Sequence, residues 1–335
     1  IRFTTREERI KILEEAGFKT ALTSSIKFKI AGKEWQNTLK MGMPGRFFLQ
    51  GFLRKALKAG CQYAIIEATS EGILQHRHKF IDFKAAVFTN LSPEHIEHHG
   101  SFENYRAAKG NLFKAVKDTH IINLDDENAE YFLKFPAKMK YGYGLKIPDS
   151  QLSTLNFQTI TPGNVEVKEK YSSFVIHNSK FVIHLLGKFN ICNSLAAVAV
   201  GLSQGVSLET CQKALEKVKQ MPGRMEEVIS APFKVIVDYA HTADSLEKVY
   251  QTLKTINYKL PTKLICVLGA CGGGRDKWKR PKMGEVAKKY CNEIILTNED
   301  PYDENPIQIL SEIKSGITNY QLPITNENKK DKNSK

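Results

Sequence analysis

Apolar positions along this chain recur with two different spacings that take turns. Short runs such as Tyr63-Ala64-Ile65-Ile66 and Ala85-Ala86-Val87-Phe88 stop abruptly at small polar or acidic residues. Buried parallel strands end this way at the carboxyl edge of a sheet, where ligands tend to sit. Around them lie helical patterns: Glu7 to Ala16, closed by Gly17, and Phe47 to Ala59, closed by Gly60. Thr20 to Ile30 has strand character, and Ile121 to Leu124 is a further strand bounded by Asp125-Asp126. From Asn156 to Leu186 apolar and polar residues alternate between turn signals such as Pro162-Gly163 and Asn178-Ser179. That pattern predicts antiparallel strands attached to the parallel sheet. Asn193 to Gly201 then reads as a small-residue helix and Leu208 to Lys219 as an amphipathic one.

Past Gln220-Met221-Pro222-Gly223 a new alternation begins. Strands are expected at Val235 to Val237, Leu264 to Leu268 and Glu293 to Leu296, and helices at Ser245 to Leu253, Lys282 to Tyr290 and Pro306 to Lys314. This is a second doubly wound unit, expected to be parallel with right-handed crossovers. The fold class is therefore α/β. A mostly parallel central sheet domain with appended antiparallel strands is expected over 1–220, a Rossmann-like carboxyl-terminal α/β domain over 221–325 and a disordered basic tail over 326–335; the resemblance set out below implies that the central domain is of the P-loop type but lacks its P-loop and that the second domain is incomplete.

Length and composition agree. A chain of 335 residues fits two domains, and 41% hydrophobic residues suffice for their cores. No apolar run approaches the roughly 20 residues of a membrane helix, so no membrane insertion is expected, and the first residues show no secretory pattern. Six cysteines in apolar contexts, with no C-x-x-C pair, argue for free thiols in a reducing compartment. Lys plus Arg at 49 against Asp plus Glu at 36 gives +13, which suits an anionic small substrate as well as a nucleic acid. The lysines are spread along the chain and no recognition-helix or RNA motif accompanies them, so no nucleic-acid partner is expected.

The stretch with the most chemistry is Thr89 to Phe113. It leaves a strand end, passes through Glu94, His95, Glu97, His98 and His99, and enters a helix with Ser101 as its N-cap and Lys109 among small residues. A polar surface loop and a solvated lysine would be the plainer reading. Glu67, at the end of another strand, changes it. A carboxylate and an imidazole meeting at one sheet edge suit a divalent cation that holds phosphates, because magnesium takes few protein ligands and keeps waters and substrate oxygens. Two more candidate sites follow in the second half: Asp238 at a strand end, where an acidic residue commonly takes ribose hydroxyls, and the glycine loop Gly269 to Asp276, which permits close backbone approach to an anion.

These residues resemble the Mur ligases. Glu67-Ala68-Thr69-Ser70, Gln75-His76-Arg77, Phe88-Thr89-Asn90-Leu91, Glu94-His95, His99-Gly100, Tyr105 and Ala108-Lys109 follow the order of their central domain. Gly187 to Asn190 with Asn193, Pro222 to Glu226, Val237 to Thr242 and Gly269 to Pro281 continue it in register. The type most like this chain adds the third residue to UDP-N-acetylmuramoyl-dipeptide. The resemblance implies an ATP-dependent acid–amino-acid ligase of peptidoglycan precursor synthesis, cytoplasmic and monomeric. Such a ligase activates the dipeptide carboxylate as an acyl phosphate, which an amine then attacks. It implies Glu67, His95 and Lys109 as catalytic residues and Mg2+ ligands, with Lys109 at the position carbamylated in the family. A carbamate turns that cation into an anion able to orient a metal. Asn90, Asn190, Arg224, Asp238 and His241 would hold ATP. Ser70, Gln75 and Arg77 would hold the muramoyl substrate, and Arg275, Glu299, Asp300 and Tyr302 the amino acid.

Three departures matter. Paired threonines that contact the sugar-nucleotide in the family are replaced by Met41-Gly42-Met43-Pro44. Tyr302 stands where an arginine of the Asp-Asn-Pro-Arg pattern grips the distal carboxylate of diaminopimelate. A phenol forms no bidentate ion pair, so an acceptor without that carboxylate, such as lysine, is expected. The family P-loop, G-T-x-G-K-T-T, is represented at most by Thr4-Thr5, and the family's amino-terminal uridine-binding domain and final segment are not in the sequence. A fragment or degenerate copy with weak ATP binding is therefore expected. The alternatives are a related folylpolyglutamate- or cyanophycin-type ligase, or an inactive sugar-nucleotide-binding chain. Gln75-x-Arg77 and Asp238-Tyr239-Ala240-His241 favour the muramoyl branch.

Overall fold

The computed structural model describes residues 4–39, 41–94, 96–147, 157–256 and 263–319. The chain forms two compact units, Ile1–Tyr239 and Ala240–Lys335.

In the first unit, helix α1 (Thr4–Glu15) leads into a hairpin, β1 (Thr20–Thr23) and β2 (Lys27–Ile30), followed by β3 (Lys33–Gln36), α2 (Arg46–Lys58) and β4 (Tyr63–Ile66). The stretch expected as one strand from Thr20 to Ile30 is thus two, folded back at Ser24 and Ser25. Ser24 stabilises that turn by donating through Oγ to the Lys27 carbonyl and accepting from the Lys27 N–H. The sheet order is β3-β2-β1-β4, with β4 parallel to β1 and the other pairs antiparallel.

After α3 (Ser70–Leu74) a second sheet begins. Its order is β5 (Ala85–Phe88), β6 (Thr119–Asn123), β7 (Met139–Tyr143), β8 (Gln158–Ile160), all parallel. Every residue of β6 is buried, which is why its sequence shows no alternation. Between β5 and β6 run α4 (Ile96–His99) and α5 (Phe102–Ala115), and between β6 and β7 runs α6 (Ala129–Leu133). The expectation that the alternating segment from Asn156 to Leu186 is antiparallel throughout is corrected here. Its first strand, β8, joins the parallel sheet. Only β9 (Gly163–Val167), β10 (Ser172–Ile176) and β11 (Ser179–Ile183) form an antiparallel sheet, and it has its own ladder.

Helix α7 (Lys188–Ser203) is the hub of this unit, with Asn190, Ile191 and Asn193 to Gly201 buried. Its small residues permit close approach. A side chain at Gly201 would meet Cys211 and Ile12. Ile12 and Leu13 of α1, Tyr141 and Tyr143 of β7, Phe174, Phe181, Leu195 and Val198 share one core with α8 (Leu208–Glu216).

The unit closes with β12 (Glu226–Ile229) and β13 (Val235–Val237), an antiparallel pair. Val235 to Val237, expected to open the second parallel unit, instead pairs back onto the segment just before it. The second unit holds α9 (Ala243–Ile256), β14 (Ile265–Leu268), α10 (Lys279–Tyr290), β15 (Glu293–Leu296) and α11 (Pro306–Asn319), with β14 and β15 parallel. Helices α10 and α11 pack with their backbones touching: a side chain on Gly284 or Gly316 would run into the facing backbone at Ile313 or Pro281. The basic run Lys329-Lys330-Asp331-Lys332 lies outside the described residues.

Candidate active site

Beyond the carboxyl ends of β4 and β5 lie several of the candidate residues of the first unit. Glu67 follows β4 directly and is 8% exposed. Its Oε2 accepts from the Ser25 N–H at 2.7 Å and the Ser25 hydroxyl at 3.1 Å, and faces Arg6 Nη2 at 3.2 Å. The β1–β2 turn and the first turns of α1 therefore aim this carboxylate. The chain also approaches it closely from the other side: a side chain at Gly42 would lie 2.7 Å from its carboxyl carbon. Gly42, in the segment that replaces the family's paired threonines, thus packs onto Glu67.

Helix α3 starts just beyond, with Thr69 as its N-cap accepting from the Gly72 N–H at 3.1 Å. Gln75 and Arg77 lie together after its end. Arg77 donates through Nε (3.0 Å) and Nη2 (2.5 Å) to Gln75 Oε1, and through Nη1 to the Met43 carbonyl (2.5 Å). Ser70 lies at the opposite end of the helix, where its hydroxyl is 3.1 Å from His99 Nε2. This hydroxyl–imidazole pair brings the loop after β4 to the helix after β5.

His99 ends α4, and its carbonyl accepts from Asn104 Nδ2 at 3.0 Å. Ser101 caps α5 by accepting from the Asn104 N–H, as its position in the sequence indicates. Lys109 projects from α5 with Nζ 5.2 Å from the centre of the Tyr105 ring. Burial, and then the Lys109 cation, push the His99 imidazole below its ordinary pKa. Asn90 and Lys109 line one cavity together with Arg6 and Arg9. His95 lies outside the described residues, so the structure speaks only to Glu67 and Lys109 of the expected metal-binding three.

Arg224, 7% exposed, lies over the Tyr239 ring, its guanidinium carbon 4.7 Å from the ring centre. Burial lowers its pKa, and Asp238 acts against that. Asp238 itself accepts the Met225 N–H through Oδ2 at 2.9 Å. Asn190 is 1% exposed and turned inward, donating to the Leu186 carbonyl at 2.8 Å and accepting from Asn193 at 3.1 Å.

In the second unit, His241 is exposed. The glycine loop and the segment after β15 are laced together. The Gly272 N–H donates to the Asp300 carbonyl at 3.1 Å. A side chain at Gly272 would strike the Pro301 carbonyl, and one at Gly273 would lie 2.9 Å from the Tyr302 ring. Gly273 and Gly274 have φ of +66° and +71°, which glycine adopts freely. Arg275, Glu299, Asp300 and Tyr302 are exposed on these two loops. Arg280 fastens the loops from inside. Fully buried, it donates to Glu304 (3.0 Å), to Glu312 (2.6 Å) and to the Cys271 carbonyl (3.2 Å).

Sequence reading gave no role to Arg6 or Ser25, which hold Glu67, nor to the Ser70–His99 pair, nor to Arg280. These are contacts between distant segments and leave no local spacing to read. The polar character of Ser24-Ser25 between two strands was the one available hint.

Known proteins agree with this architecture. The Mur ligase middle domain matches residues 4–201, and the Mur ligase glutamate ligase domain matches 223–330. The chain belongs to the Mur ligase family. The UDP-N-acetylmuramoyl-L-alanyl-D-glutamate–2,6-diaminopimelate ligase of Syntrophomonas wolfei is 37% identical over 324 residues, covering 94% of this chain and 63% of that protein. The UDP-N-acetylmuramyl-tripeptide synthetase of a Roseiflexus strain is 33% identical over 330 residues, covering 91% of this chain and 61% of its own length. A solved diaminopimelate ligase structure superposes with a TM-score of 0.65 at 29% identity, over 93% of this chain and 63% of that one. The chain thus spans less than two thirds of the length of these relatives.

Proposed function

We propose that this chain carries the ATP-binding and amino-acid-binding parts of a ligase that joins an amino acid to UDP-N-acetylmuramoyl-dipeptide. The supporting observation is the 37% identity to a ligase of that name across 94% of the chain. The site geometry is compatible with it. Glu67 is held through Oε2 by Ser25 and Arg6. A carboxylate fixed on one oxygen can present the other to a hard cation, and Glu67 with His95 and Lys109 would hold magnesium. Bound there, the metal would offset charge on the transferring phosphoryl group. The paired Gln75 and Arg77, with Ser70, would grip the sugar-nucleotide. Asn90, Arg224, Asp238 and His241 would serve ATP, whereas Asn190, expected among them, is buried and turned onto the Leu186 carbonyl and Asn193, so it would act only from behind them. Carbamylation of Lys109 belongs to this reading, as do a monomeric state and a cytoplasmic location. Among the described residues no helix is long and apolar enough to cross a membrane, and the six cysteines are free. The domain boundary at 220/221 is part of the proposal as well; the second family domain begins at 223, whereas the first compact unit runs to Tyr239.

For the acceptor, the loops bearing Arg275, Glu299, Asp300 and Tyr302 offer two carboxylates, the Arg275 guanidinium and a phenol that is 61% exposed. An incoming amine suits them, and a distal carboxylate finds no arginine at position 302. The relatives are named for diaminopimelate, so the test discriminates. The chain is incubated with ATP, Mg2+, UDP-N-acetylmuramoyl-dipeptide and single amino acids, and the muramoyl product is followed by mass. Lysine, or another acceptor without a distal carboxylate, is expected to be incorporated. Clear preference for diaminopimelate overturns the acceptor assignment. Failure of every amino acid, with ATP and dipeptide both bound, overturns the ligase reading for this chain.

A further inference from the structure

The segments that follow β4 and β5 meet at one polar contact, Ser70 Oγ to His99 Nε2 at 3.1 Å. Ser70 does not cap its own helix. Thr69 does that, by accepting from the Gly72 N–H. Ser70 is nevertheless only 6% exposed, and among the described residues His99 is the hydrogen-bond partner of its hydroxyl. His99 itself is anchored. Its carbonyl accepts from Asn104 Nδ2 at 3.0 Å, and Gly100, at a φ of +75°, turns the chain into the Ser101 cap. Its ring lies against the fully buried Tyr105, centre to centre 5.1 Å. A ring held on both sides sets the hydroxyl it touches rather than following it.

The other ring nitrogen, Nδ1, is buried and without a hydrogen-bond partner among the described residues. Near pH 8 an imidazole with the ordinary pKa of about 6.5 is neutral and carries one N–H. A proton on Nδ1 would be a buried donor without an acceptor, which folded proteins rarely leave. The proton therefore belongs on Nε2, and Nε2–H donates to Ser70 Oγ. With its oxygen engaged in this way, the serine keeps its own hydrogen for a second partner. A hydroxyl hydrogen with a fixed direction suits a carbonyl or carboxylate oxygen.

Within the ligase reading above, on which this rests, we propose that His99 is a positioning residue for the acid substrate: it aims the Ser70 hydroxyl hydrogen at an oxygen of UDP-N-acetylmuramoyl-dipeptide. His99 touches no substrate. Without it the Ser70 hydroxyl rotates freely, and the bond to substrate must first order it.

The test is calorimetric binding of UDP-N-acetylmuramoyl-dipeptide to the full chain near pH 8, beside steady-state kinetics with ATP, Mg2+ and an acceptor amino acid. His99→Phe is expected to weaken dipeptide binding about five- to tenfold, the worth of one hydrogen bond, and to raise the KM for dipeptide while kcat and the KM for ATP stay within about twofold. His99→Gln, whose amide can still donate to Ser70 Oγ, should recover most of that loss. Ser70→Ala, which leaves the ring packing intact, should match His99→Phe, and the double variant should be no weaker than either. Proton–nitrogen NMR correlations of the unaltered chain should show His99 protonated at Nε2. Unchanged dipeptide binding in His99→Phe overturns the assignment. So do a loss that His99→Gln does not recover, additive effects of the two substitutions, or a proton on Nδ1. A fall in kcat with dipeptide binding intact overturns it too, and gives the imidazole a role toward Lys109, whose Nζ lies 5.2 Å from the centre of the Tyr105 ring. Absence of dipeptide binding in the unaltered chain is a separate result, which removes the ligase reading and this assignment with it.

Discussion

Glu8 sits in the first turns of α1, fully buried, and accepts the Ser194 hydroxyl at 2.5 Å through Oε1. Desolvation raises its carboxyl to about 7, and Ser194 and Arg9 only partly oppose that. A group raised above its unfolded value of 4.5 favours folding fully below that value, and the contribution is lost as pH climbs through about 7. Glu8→Gln removes the ionisation while keeping an acceptor for Ser194. It should add roughly 1–3 kcal/mol to unfolding stability at pH 8 and almost nothing at pH 4. Denaturant midpoints at the two pH values check this, and equal effects at both would refute it. Lys109 gives a second prediction at this scale. Lys109→Met should cost about 100-fold or more in turnover, as losing a charge-positioning group does. In the same variant the His99 imidazole should titrate closer to its ordinary value, because the second cause of its depression is gone. NMR titration reads this even where turnover is absent. An unmoved His99 would mean the two side chains are farther apart than described.

The elements show what Arg280 is for. Its guanidinium ties the glycine loop after β14 to Glu304 and to Glu312 of α11, so the two loops that carry Arg275, Glu299, Asp300 and Tyr302 are fastened by one buried fork. Arg280→Met leaves the carboxylates without their partner and should cost the second unit about 3 kcal/mol. It should also speed amide exchange at 271–274 and 299–303, whereas a loss of stability with unaltered loop exchange would separate the two effects. Nothing in the local pattern of Lys279-Arg280-Pro281 announces this. By contrast the strands ending in Glu67 and Thr89, the Ser101 cap and the helix of Lys109 were legible, since each depends on neighbours a few residues away. The parallel pairing of β8, the separate ladder of β9 to β11 and the fold-back of β13 were not. Alternation marks a strand with one covered face but not which partner it finds.

At the scale of the whole molecule, family membership rests on two domain matches in the order expected from the motifs. A charge of +13 spread over the chain is compatible with nucleotide and diphosphate groups. Likeness in fold does not choose among the chemistries of this superfamily; the residues at the ends of β4, β5, β14 and β15 must do so. The most direct check is ADP formation by the purified chain with ATP, Mg2+ and an acceptor amino acid, comparing UDP-N-acetylmuramoyl-dipeptide with a folate as the acid substrate. The account predicts ADP release that requires the muramoyl dipeptide and is lost in Glu67→Ala. Release driven by the folate, or release indifferent to Glu67, would contradict it.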